Sequence, residues 1–509
     1  MPGAALAQQG DRPLSAIEWL DQTDLTQGLP QTIPQALPGS ARDRPALGEP
    51  PVAGQVRIPD VETTTLSAAT SGAVGLLPPS VTGLPPGLWA KSDAGDLAAL
   101  WRHAGQEPPA AIASLYHTLL LAEAEPPFGA EDAYLRTRVG MLRRFGAVEP
   151  ALELLARAGT ASAGVFPAWF DLALLGGAET EACTALQARP GLMADDAARI
   201  YCAALTGDWA TAALMYDTGV ALGALKGTEG TLLGLFLDPE LAEETAPPIP
   251  SAAPSALEFR LFEAIGSPLP TRSLPLAYAM ADLRGTTGWK AEIEAAERLT
   301  RAGALAPGRL MGLYTRQSAS ASGGVWERVS AVQDLDRALE QSDAAAAGTA
   351  LAAAWPLIRD EGLDVPFALI FADRLKAADL PARQRDLVYR LSLLTPGYEA
   401  AAADAPADRA AQFLAGLAAG RPDPALADTP GEAIIAAAFA EPPEAPAEHA
   451  ALINGGRLGE AILSAALQFD LANGDPGEMA SALGTLRAVG LEDVARRSAL
   501  QALILGSVE

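Results

Sequence analysis

From Asp93 onward the chain repeats one pattern: a capping residue, a run of about 10–17 residues with apolar side chains every three or four positions, then Gly or Pro. Asp475-Pro476-Gly477-Glu478 shows it, with a cap, Pro at the first helical position and an acid in the first turn. Met479, Leu483 and Leu486 follow on one helical face. Near the other end, Ser92 is placed to cap a helix carrying Leu97, Leu100 and Trp101, stopped by Gly105. This cadence predicts about twenty helices joined by short turns. Composition agrees. Hydrophobic residues make up 49% of the chain and aromatics only 6%, so Ala and Leu carry most of the apolar content. Those residues favour helix, whereas sheets draw on Val, Ile, Thr and aromatics. The fold class read from this is all-α.

Three hairpins share a finer feature. Gly146 lies five residues before Ala151, Gly207 five before Ala212, and Gly456 five before Ala461. Small residues at these points let two helices approach closely across a tight turn. The hairpins resemble the second half of a tetratricopeptide hairpin, where a bulky residue (Leu155, Tyr216) and another small one (Ala158, Gly219) follow the alanine. Ala465 takes the bulky place in the third. The turn glycines are 61 and 249 residues apart, neither a multiple of the 34-residue tetratricopeptide period. The resemblance therefore implies an irregular α-solenoid of stacked helical hairpins. Gly- and Pro-rich breaks at 246–254, 318–324 and 396–407 are candidate joints, giving repeat blocks at 91–246, 254–395 and 396–509.

Residues 1–90 differ. They hold 13 of the 41 prolines, and Trp19 and Trp89 are their only aromatics. Such a segment cannot bury enough apolar surface to offset its own chain entropy. It reads as an extended Pro-rich arm with two apolar points: Ile17, Trp19 and Leu20, behind a Ser15/Glu18 capping box, and Leu88 with Trp89. Trp needs a surface to land on, either on this chain or on another protein. Between the two points, Gln55 to Leu66 is the most strand-like run of the chain.

The net charge of −26 repels nucleic acid and anionic lipid. The densest basic stretch, Arg136, Arg138, Arg143 and Arg144 with Arg157 beyond, reads as a solvated helix face. No apolar run reaches the length of a membrane span; Ala344 to Ile358 is the nearest, broken by Gly348 and Pro356. Ala5-Leu6-Ala7 ahead of Gln8 has the small-x-small pattern of a secretory cleavage site, which makes residues 1–7 the remnant of a signal peptide. That implies a periplasmic protein, with a cytoplasmic one as the alternative. Cys183 and Cys202 lie nearly equidistant from the Arg189–Leu192 turn, opposite each other in an antiparallel helix pair, and an oxidising compartment would bridge them.

Little in the chain carries chemistry. His103, His117 and His449 are scattered without ligand spacing, and no phosphate loop, dinucleotide fingerprint or serine elbow follows a strand. The acids at Glu179/Glu181, Asp195/Asp196 and Asp238–Glu244 fit first helical turns, where carboxylates complement the helix dipole. The aromatic knot Phe166, Trp169, Phe170 reads as core. No catalytic, cofactor or metal residue is assigned. The expectation is a non-enzymatic envelope scaffold, assembly factor or chaperone that binds a partner protein on its helical surface and neither spans a membrane nor binds nucleic acid. The alternatives are an all-α glycan-active enzyme using groove carboxylates and a cytoplasmic adaptor. Superhelical lytic transglycosylases share the broad look, but their Glu-Ser signature does not occur here.

Overall fold

The computed structural model describes residues 73–160, 162–319, 323–506 and 508. Among them are 26 α-helices, five short 3-10 helices and no strand, only an isolated bridge between Leu77 and Ala122. The protein is all-α. No described helix is long and apolar enough to cross a membrane.

The local grammar is the one the sequence spells out. Asp475 caps its helix by accepting from the backbone N–H groups of Gly477 and Glu478, and Met479, Leu483 and Leu486 are buried. At the start of the Ala94–Arg102 helix the cap is Asp93, one residue after the expected Ser92, because its carboxylate accepts from both Gly95 and Asp96. Gly146, Gly207 and Gly456 all take positive φ, and Ala151, Ala212 and Ala461 are fully buried. At Gly146 the close approach is tertiary as well: a β-carbon there would run into the side chains of Leu276 and Leu299.

Packing goes beyond a neighbour-to-neighbour stack. The helix Ala110–Leu121 lies against the next helix, Glu131–Arg144, and also against Leu458–Asp470 and Glu492–Ile504 from the far end of the sequence. It is tied there at two turns, since the Ala111 N–H donates to Gln501 Oε1 at 2.8 Å and, one turn on, the Tyr116 hydroxyl donates to Asp470 at 3.1 Å. Further along, Ala256–Ala264 returns to pack on Phe166–Gly176 and Gly227–Leu237. The ion pair Arg309–Glu149, at 3.0 Å, connects helices 160 residues apart. The described helices fall in one compact unit, Thr65–Glu509, and share one continuous apolar core. The Pro-rich stretch 246–254 is a connection inside that unit, 396–407 carries the short helix Tyr398–Ala402, and residues 320–322 of the other expected break lie outside the described residues.

The C-terminal part of the expected arm belongs to this core. Leu84, Leu88 and Trp89 are buried, and Trp89 packs on Tyr134 with ring centroids 5.8 Å apart. Of the arginines expected on a solvated face, Arg136 is exposed, whereas Arg138 and Arg157 hold this segment. Arg138 is buried and donates to the carbonyls of Leu120 (2.6 Å), Val74 (2.7 Å) and Ala122 (3.1 Å). Arg157 donates to Gly75 O at 3.0 Å, and Arg144 to Ala104 O at 2.7 Å. A guanidinium reaches several carbonyls at once, which helical spacing alone does not reveal.

Candidate functional site

Of the sequence-predicted points, Ile17, Trp19 and Leu20, with the strand-like run ending at Leu66, lie outside the described residues. Leu88 and Trp89 are docked on this chain itself. Cys183 and Cys202 come together as a disulfide with Cα atoms 4.9 Å apart, on the facing helices Glu179–Ala188 and Asp196–Leu205. The turn between them is closed by Arg199, whose guanidinium donates to Pro190 O (2.8 Å) and Met193 O (2.9 Å) and pairs with Asp196.

The helix that follows this stapled pair is unlike the others. A turn at Gly207 and the Asp208 cap launch Trp209–Ala221, in which Asp217 is the one charged residue. Only Ala212 and Gly219 are buried. They lie seven residues apart, on one narrow stripe flanked by Met215 and Tyr216, which are partly buried against the core. Along the outer side run Ala210, Ala213, Leu214, Val220 and Ala221. Leu214 is 68% exposed and Leu222, just past the helix, 79%. Trp209 rests one edge on Phe236, with centroids 5.8 Å apart, and leaves about half of its surface to solvent. Leu205, Leu241 and Ile249 are exposed on the elements around it. Seven of the twelve large exposed hydrophobic side chains among the described residues thus fall between 205 and 249. Scattered exposed leucines need no explanation, but a concentration of them along one stretch of chain does.

Beside this helix lies a groove of about 650 Å³, walled by Thr211 and Met215 on one side and by Leu186, Gln187, Cys202 and Ala203 on the other. On that second wall Gln187 Nε2 donates to Thr206 Oγ1 at 2.5 Å and to Cys202 O at 3.3 Å.

The acidic clusters mostly serve structure. Glu179 pairs with Arg260 at 2.9 Å, and Asp195 and Asp238 cap helices. Glu229 stands apart. It lines a 320 Å³ pocket with Asp195, Asp196 and Lys226, and no hydrogen bond or ion pair engages its carboxylate. Burial, then the charges of Asp195, Glu258 and Asp171, raises its pKa above the usual carboxylate value. Asp171 is also raised by burial, though Arg143 pairs with it at 3.0 Å. No group of His, Cys, Asp and Glu among the described residues is arranged to hold a metal.

Sequence reasoning did not find Trp209, Leu214 and Leu222. The repeat resemblance marks only Ala212, Tyr216 and Gly219 on this helix. The one signal available was its lack of charge all round, which ordinarily marks a buried helix. Comparison with protein-family models, with curated proteins and with solved structures gave no match, so the fold and the surface chemistry carry the functional reading.

Proposed function

We propose that the protein is a non-enzymatic interaction protein, a scaffold, assembly factor or chaperone of the bacterial cell envelope, that holds a segment of a partner protein on the face built around Trp209–Ala221. The observation that carries this reading is the solvent-facing apolar helix with its single charge, beside a groove in which Gln187 and Thr206 bond to each other. Partner capture on an apolar helix face is a standard use of such a surface. The tetratricopeptide-like hairpin at Gly207–Gly219 agrees with it, and the Cys183–Cys202 bridge supports an oxidising compartment.

The test is a photo-crosslinking side chain placed at Leu214 in full-length protein in cells, with one at exposed Asp334 as control. A discrete adduct from position 214 and none from 334 is the expected result. Equal yields from both, or none from either, would remove the reading. Thiol trapping in the same cells checks the compartment: a bridged pair agrees with the periplasm, and free Cys183 and Cys202 would move the protein to the cytoplasmic-adaptor alternative.

A second reading, an all-α glycan-active enzyme, rests on Glu229 alone, a half-buried carboxylate with no cationic partner. It requires the purified protein to release soluble fragments from cell-wall glycan and Glu229→Gln to abolish the release. No release by the unmutated protein ends that reading.

A further inference from the structure

The segment that carries the apolar face bears charge of nearly one sign. Between Leu205 and Ile249 the chain has seven carboxylates, Asp208, Asp217, Glu229, Asp238, Glu240, Glu243 and Glu244, and one cation, Lys226. None of the seven is in an ion pair among the described residues. Elsewhere in the molecule acids are routinely matched, as in the Glu297–Arg328–Glu361–Arg301 network. Six of the seven stand exposed on the elements that carry Trp209, Leu214, Leu222 and Leu241.

Resting on the reading of this face as a docking surface, we propose that its occupant is a cationic amphipathic helix of a partner protein. Two features select it. Trp209 and Val220 are eleven residues apart, about 16 Å along the helix axis, which three turns of a partner helix span with apolar anchors at i, i+4, i+7 and i+11. The unpaired carboxylates then meet Lys or Arg on the flanks of that helix, which sets orientation and speeds encounter. The same charge argues against the other occupants. A second copy would bring two such acidic segments together, and anionic lipid and nucleic acid are repelled by both the patch and the −26 net charge.

The experiment titrates full-length protein with three labelled synthetic peptides of about 18 residues: a Leu/Lys amphipathic helix, the same pattern with Glu for Lys, and a scrambled Leu/Lys sequence. Binding is read by fluorescence anisotropy at low and high salt. The amphipathic cationic peptide is expected to bind at least about tenfold tighter than either other peptide, with the gap to the acidic one shrinking as salt rises. Leu214→Asp with Leu222→Asp should remove this binding. Both positions are open to solvent, so the thermal midpoint of that variant should match the parent and certify its fold. Asp217→Asn with Glu240→Gln and Glu243→Gln should narrow the gap between the cationic and acidic peptides. If the acidic peptide binds as tightly and Leu214→Asp still abolishes it, the charge class is wrong and the docking surface survives. If the scrambled peptide binds equally, or the aspartate variant binds undiminished, the face is not the site and both readings fall.

Discussion

The indole of Trp89 lies directly on Gly459, so close that a β-carbon at position 459 would overlap the ring. The Gly459 N–H also donates to Leu88 O at 3.2 Å. Residues 370 positions apart in the chain therefore define one joint, in which the missing side chain of a helix near the C-terminus is the seat for a tryptophan near the start of the described chain.

Trp89→Ala is expected to cost about 3–5 kcal/mol, because a fully buried indole leaves a cavity. Gly459→Ala should cost about 1–3 kcal/mol by overpacking. In the Trp89→Ala background the same alanine should cost less, since its β-carbon no longer meets the indole and only the Leu88 carbonyl stays close. Urea unfolding of the four proteins measures the cycle, and additive costs would show that the two residues do not share the joint.

Arg138 gives a second expectation. Arg138→Met strands the carbonyls of Leu120, Ala122 and Val74 and should destabilise by about 3 kcal/mol or more. Arg138→Lys should not restore this, because one ammonium cannot reproduce the planar fork. Limited proteolysis should then cut first between residues 73 and 92; unchanged resistance there would show that the guanidinium is not what fastens the segment.

His117 makes stability depend on pH. Burial pushes its pKa down to about 4 from the usual imidazole value of about 6.5, and its Nε2 is buried without a partner among the described residues. The unfolded chain takes up the proton first as pH falls, so the folded state loses stability between about pH 6.5 and pH 4 and keeps it above that window. The loss should approach roughly 3 kcal/mol. His117→Leu should show a flatter profile, and the difference between the two curves isolates this residue from the carboxylates. Parallel curves would mean that the imidazole titrates normally.

The Cys183–Cys202 bridge closes a short loop, with the two residues 19 positions apart. Replacing both by alanine should lower stability by about 3 kcal/mol. Because Cys202 also walls the groove beside Trp209–Ala221, the same variant should weaken partner crosslinking at Leu214. A stable variant with full crosslinking would separate the staple from the surface.

Much of the local structure was legible in the sequence because caps, turn glycines and helical periodicity act within a few residues. Asp475, Gly146, Gly207, Gly456 and the turn between Cys183 and Cys202 were readable on that scale. Arg138 and Trp89 were not, since an arginine on a helix and a tryptophan in a Pro-rich stretch take their roles from residues they meet only after folding.

The candidate surface shows the same division most plainly. Sequence alone determined that Trp209–Ala221 is a helix, apolar nearly all round, and that the residues about it are acidic. A helix of that composition is ordinarily buried, and nothing within its thirteen residues says otherwise. Its exposure was decided by tertiary packing, in which helices distant in sequence, Ala110–Leu121 with Leu458–Asp470 and Ala256–Ala264 with Phe166–Gly176, close the core around other faces. Period and charge are properties of neighbouring residues, whereas which apolar stripe finds a partner depends on the whole set of competing contacts.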